Sequence, residues 1–123
     1  ERFPDLPIVI EHLGGIGLGA QPPYTEFQQV LALARYPNLT IKLPGFGEFC
    51  ALPHPFAHIP PLVEMTIAAF GPQRIMWGSD WPPVSSREGY TNALQVGLTY
   101  LNQLSEEEKA WIFGRTAQTI WRL

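Results

Sequence analysis

An α/β fold with parallel strands is the class this sequence predicts, on three observations. Three short apolar runs have strand character, a helix signal follows each of them, and the last unit carries further helical segments. Strands separated by helices imply parallel pairing and right-handed crossovers. Two architectures suit that order, a doubly wound sheet or an arc of a (β/α)8 barrel. A whole barrel takes roughly 250 residues, so a chain of 123 would supply under half of one.

The opening "ERFPDLP" reads as the tail of a helix running into a strand, and the chain starts on Glu1 without a methionine. The expectation is a segment, residues 1–123, of a single larger domain. The first strand run is "PIVIEHL", Pro7–Leu13. In "TEFQQVLALARY", Phe27, Val30, Leu31 and Ala34 fall at i, i+3, i+4 and i+7, one stripe of a helix. The second run, "LTIKL" (Leu39–Leu43), leads into a long proline-rich loop, Pro44–Pro61. "PPLVEMTIAAFG" opens on prolines, which suit a first helical turn, and closes on Gly71. The third run is "RIMWGSD", Arg74–Asp80. After it, "EGYTNALQVGLTYLNQL" puts Leu94, Leu98 and Leu101 on one helix face. "LSEEEKAWIFG" sets Ser105 three residues before Glu108, a capping box, and "TAQTIWRL" ends the chain as a short helix.

Composition removes several function classes. Eight Lys and Arg against eleven Asp and Glu give a formal charge of −3, with no basic stripe to follow a nucleic acid. No apolar run approaches the roughly 20 residues that span a bilayer. One cysteine, Cys50, excludes an internal disulfide and suits a reducing compartment, so a cytoplasmic protein is expected. Thirteen prolines imply shaped connections.

In parallel α/β folds, chemistry gathers at the carboxyl ends of strands. There the first run offers His12, two residues after Ile10 and four after Ile8, so alternation would put the three on one face. His12 is either a metal ligand or carbonyl-polarising group, or a histidine satisfied by a loop carbonyl. The second run offers Lys42, either an anion-binding group or a solvent-reaching side chain. The third offers Asp80, on the face of Gly78, between Trp77 and Trp81. A carboxylate among indoles is costly unless it meets a cation, a metal or a proton. The competing reading is an Asp that caps its own turn. His54 and His58 in the proline loop are lid or pocket-wall candidates, and Cys50 reads as a small buried residue. "GGIGLGA" matches a dinucleotide fingerprint at Gly15, Gly17 and Ala20. Pro22 and Pro23 interrupt the helix that fingerprint needs, and Lys42 stands where its acid should be.

"VIEHLGG", "YPNLTIKLPGFG", "FGPQRIMWGSDWPP" and "GRTAQTIWRL" together resemble the amidohydrolase-related (amidohydrolase 2) family, in its branch of metal-dependent TIM-barrel hydrolases and lactonases. "GSDWP" is the most specific of these motifs. The resemblance implies the last three β-α units, strands six to eight, of a (β/α)8 barrel. It implies that Asp80 binds a metal or acts as general base, and that His12 holds metal or polarises the scissile carbonyl. The implied activity is hydrolysis of a lactone, ester or amide, with a divalent metal (Zn or Mn) or with none. Trp77 and Trp81 would then line or buttress the pocket of a small carbonyl substrate; Lys42 and His54 are further substrate-contact candidates, and the resemblance gives Lys42 no firm role. The family's first-strand H-x-H pair is absent from this chain. Two other readings stand beside the hydrolase: a decarboxylase of the same superfamily, and a non-catalytic half-barrel that assembles with another copy or with an N-terminal barrel half.

Overall fold

The computed structural model describes residues 3–123. The helix tail expected at the opening falls partly on positions 1 and 2, outside the described residues. Phe3 to Leu6 form a turn, closed by the Leu6 amide donating to the Phe3 carbonyl at 3.3 Å.

Three strands form one sheet in the order β1-β2-β3: β1 is Ile8–Ile10, β2 is Leu39–Leu43 and β3 is Ile75–Trp77. Both pairings are parallel, with Ile10 opposite Ile41 and Ile41 opposite Ile75. β1 and β3 are shorter than their apolar runs. Beyond β1 the chain turns left-handed at His12 and Leu13, and beyond β3 it does so at Asp80. A left-handed residue cannot continue a pleated strand.

The helices follow in chain order. α1, His12–Gly15, is a tight turn with left-handed backbone at Leu13 and Gly14. Gly14 has φ 75°, and a Cβ there would lie 2.7 Å from Val30 Cγ2, so glycine allows α1 to close on the next helix. That helix, α2, is Thr25–Leu31, drawn out by a 3₁₀ turn over Ala32–Arg35. α3 is Leu62–Phe70 and stops at Gly71, φ 73°. α4 is Tyr90–Tyr100, and α5 is Glu106–Ala110. Five residues of π-helix, Trp111–Arg115, lead into α6, Thr116–Trp121.

The expected stripe on α2 holds, with Phe27 fully buried. The expected face of α4 holds at Leu101 and fails at Leu98. Ala93, Gly97 and Leu101 are buried, whereas Leu98 is exposed. Small residues face the sheet because Trp77 sits there: a Cβ on Gly97 would lie 3.2 Å from the Trp77 indole nitrogen. Ile41, Leu43 and Ile75 pack against Phe27, Leu62, Phe70, Leu101 and Ile112 in one core. Each such side chain contributes about 1.5–3 kcal/mol when fully buried. Lys42 and Met76, opposite each other in register, occupy the second sheet face. There the Trp121 ring centroid lies 5.3 Å from Lys42 Nζ. Among the described residues, no helix is long and apolar enough to cross a membrane.

Candidate active site

All three strands run the same way, so the loops that leave them converge at one end of the sheet. His12 comes from the turn after β1, and Glu48 from the 3₁₀ turn Phe46–Glu48 after β2. Asp80 comes from the loop after β3, and Arg87 and Glu88 stand just before α4. His12 Nε2 lies 3.5 Å from Asp80 Oδ1, and His12 Nδ1 lies 3.6 Å from Glu48 Oε1. The imidazole is thus held between two carboxylates.

Behind these acids sits Arg87. Its Nη1 donates to Glu48 Oε2 at 2.8 Å, and its Nη2 lies 2.9 Å from Asp80 Oδ2. Its Nε is 3.4 Å from Glu88 Oε2. The Glu88 side chain is wholly buried, and its Oε1 accepts the Gly47 amide at 3.1 Å. A Cβ at Gly47 would fall 2.2 Å from Glu88 Oε2, so that glycine makes room for a buried acid. One guanidinium faces three carboxylates, which offsets the cost of burying them. The Asp80 carboxylate is spent on Arg87 and His12, not on capping its own turn.

His12, Glu48 and Asp80 each offer a ligand atom, all within 4.8 Å of one another. One imidazole nitrogen and two carboxylate oxygens suit Zn²⁺ or Mn²⁺, and three protein ligands leave a position open for water. The residues therefore fit a divalent metal.

Of the other expected site residues, Lys42 and Trp81 adjoin this cluster, whereas Trp77 packs on the helices and His54 lines a separate cavity. Lys42 Nζ pairs with Glu11 Oε1 at 2.9 Å. Trp81 follows Asp80 and is 67% exposed. Trp77 points to the helices, packed on Phe113 and Tyr90. His54 and His58 line an open cavity of about 810 Å³, along with Tyr24, Phe49 and Leu18. The first part of the proline loop is core, not lid, since Phe46, Phe49 and Cys50 are buried. Burial, with a lesser contribution from Glu88, pushes the Cys50 thiol up to about 12, which makes it inert. "GGIGLGA" forms a 3₁₀ turn at Gly17–Gly19, and the next helix starts at Thr25, so no helix N-terminus sits on the fingerprint.

Glu48, Arg87 and Glu88 were not singled out from sequence. Their signals were present: one acid in an apolar loop, "PGFGEF", and an adjacent charge pair, "SSREGY".

The amidohydrolase family profile matches residues 1–123. The chain belongs to the amidohydrolase family. It is 31% identical over 134 aligned residues to the L-fucono-1,5-lactonase of Burkholderia ambifaria, covering 99% of this chain and 43% of that protein. It is 34% identical over 101 residues to the D-galactarolactone isomerase of Agrobacterium fabrum, covering 80% of this chain and 34% of the isomerase. Among solved structures, a zinc-bound amidohydrolase from Burkholderia multivorans superposes with a TM-score of 0.84 at 26% identity, over 99% of this chain and 46% of that one. The chain thus spans less than half the length of these amidohydrolase relatives. Its three parallel β-α units form an arc of the (β/α)8 barrel.

Proposed function

We propose that this chain supplies the Asp80–His12 part of the active site of a lactone hydrolase, as one segment of a single barrel domain. The observation that carries the reading is the 3.5 Å approach of His12 Nε2 to Asp80 Oδ1 at the carboxyl end of a parallel sheet. The names of the relatives, a fuconolactonase and a galactarolactone isomerase, support a lactone as the substrate class.

Asp80 takes a proton from water as the water oxygen attacks the lactone carbonyl carbon. His12 donates a hydrogen bond to the developing oxyanion. When the ring C–O bond breaks, the proton held at Asp80 passes to the departing ring oxygen, which leaves a hydroxy acid. Arg87 occupies Asp80 Oδ2 at 2.9 Å and leaves Oδ1 to act as the base. His12, Glu48 and Asp80 would hold a divalent metal, which would supply polarisation of the carbonyl and a lower pKa for water; zinc is proposed, because a related structure carries it. Lys42, Trp81 and His54 are the proposed substrate contacts, and the cytoplasm the proposed compartment.

The test is a panel of sugar lactones and aromatic esters, assayed with the full-length protein and with Asp80→Asn. Hydrolysis by the wild type that is lost in the variant supports the reading. Carbon dioxide release from an aromatic acid in the same panel would replace it with decarboxylation. Among the described residues, β1 and β3 each leave one edge of this three-stranded sheet unpaired, which favours continuation by further barrel strands or by a second copy. Sedimentation of the chain alone, against the chain mixed with the preceding part of a barrel, distinguishes the two.

A further inference from the structure

We propose that Arg87 is the positioning residue of this site: it selects which oxygen of Glu48 and which oxygen of Asp80 faces the reaction centre. This deepens the hydrolase reading and rests on Asp80 and His12 as the reacting groups. Each of the two acids divides its oxygens in the same way. Glu48 gives Oε2 to Arg87 at 2.8 Å and turns Oε1 to His12 at 3.6 Å. Asp80 gives Oδ2 to Arg87 at 2.9 Å and turns Oδ1 to His12 at 3.5 Å. A carboxylate alone rotates freely about its last bond, so an oxygen is fixed in place only when its twin is held. The planar guanidinium meets both twins at once, Glu48 by a hydrogen bond and Asp80 by an ion pair, and the compact ammonium of lysine cannot present two nitrogens in that fixed geometry.

The fork is itself fixed from behind. Glu88, wholly buried, faces Arg87 Nε at 3.4 Å and is pinned by the Gly47 amide. Glu88 Oε2, Arg87 Nε and Arg87 Nη2 have no hydrogen-bond partner, so Arg87 meets Glu88 and Asp80 as ion pairs. These groups are therefore held by charge and by packing, which suits a device whose role is orientation. Glu88 and Arg87 touch no reacting atom. They act through Glu48 and Asp80.

The experiment compares the full-length wild type with Arg87→Lys, which keeps the charge and removes the fork, and with Glu88→Gln, which keeps the shape of the support. Three readouts are taken: lactone kcat and KM, Zn²⁺ affinity by competition with a chelator, and crystal structures. Expected in Arg87→Lys are a kcat lower by about 100-fold with KM little changed, and a Zn²⁺ affinity weaker by about 10- to 100-fold. In the crystal, Glu48 Oε1 and Asp80 Oδ1 should have turned away from His12. Glu88→Gln should move all three readouts in the same direction by less, and it stands in for Arg87→Lys if that variant does not fold. A lysine variant with wild-type kcat, or one whose two oxygens still face His12, overturns the proposal. If the wild type hydrolyses no lactone, the hydrolase reading falls, and the crystal structures alone decide the role of Arg87.

Discussion

His12 and Asp80 both hold left-handed backbone, at φ 45° and 62°, and their side chains meet at 3.5 Å. Neither residue belongs to a strand, so the strand ends launch them and the turns aim them. Asp and Asn tolerate this region better than other non-glycine residues. Asp80→Asn should therefore fold with a thermal midpoint near that of the wild type. Its kcat should fall by about 10²- to 10⁴-fold, because the amide cannot accept a proton from water. Steady-state kinetics beside a melting curve checks both halves.

Stripping the protein with a chelator should abolish lactone hydrolysis, and Zn²⁺ or Mn²⁺ should restore it. Added metal should also raise the melting temperature, by the equivalent of about 2.7 kcal/mol at a hundred times its Kd. Activity that survives exhaustive dialysis against chelator would show that Asp80 activates water without a metal.

Gly47→Ala should destabilise the chain, because the new methyl would lie 2.2 Å from Glu88 Oε2. Overpacking of this kind costs about 1–3 kcal/mol. Truncating the acid removes the obstacle, so Gly47→Ala should cost much less in a Glu88→Ala background. A double-mutant cycle by urea denaturation measures that coupling.

Cys50 predicts a pH dependence. Its thiol is pushed from 9.0 up to about 12, by burial first and by Glu88 second. Below 9.0 the thiol is protonated in both folded and unfolded chains, and its contribution is complete. Between 9.0 and about 12 the unfolded chain ionises there while the folded chain does not, so stability falls as pH rises through that window. Denaturation curves across this range should flatten in Cys50→Ala. At neutral pH, thiol reagents should modify Cys50 no faster than the fold opens.

Much of the fold was legible because parallel strands and helices carry different periods. Phe27 announces itself by helical spacing, and Ile41 and Ile75 by the short apolar runs that hold them. Asp80 and His12 were legible too, though alternation was the wrong reason: it cannot extend past Ile10 or Trp77, where the backbone leaves the pleat. Glu48, Arg87 and Glu88 were not singled out because the contacts that bring the two loops together span 39 residues from Glu48 to Arg87 and 41 from Gly47 to Glu88. No local pattern encodes such a pairing. The face of α4 was misjudged for a related reason. Leucine spacing marks a stripe, but the bulk of Trp77 decided that glycine and alanine should meet the sheet.

The five π-helical residues Trp111–Arg115 have a consequence for how this chain tolerates changes in length. A π segment is an α-helix with one residue inserted, and the five residues wound this way turn the chain about as far as four α-helical ones. Deleting one of the five would therefore restore the regular repeat and leave Thr116 and Trp121 on their present faces. Adding a further residue would instead swing everything after it by about 100°, so the Thr116 hydroxyl would lose the Gln73 carbonyl it reaches at 3.2 Å and Trp121 would rotate off Lys42. This stretch can absorb a single-codon deletion, whereas a single-codon insertion would unlatch the end of the chain from its sheet.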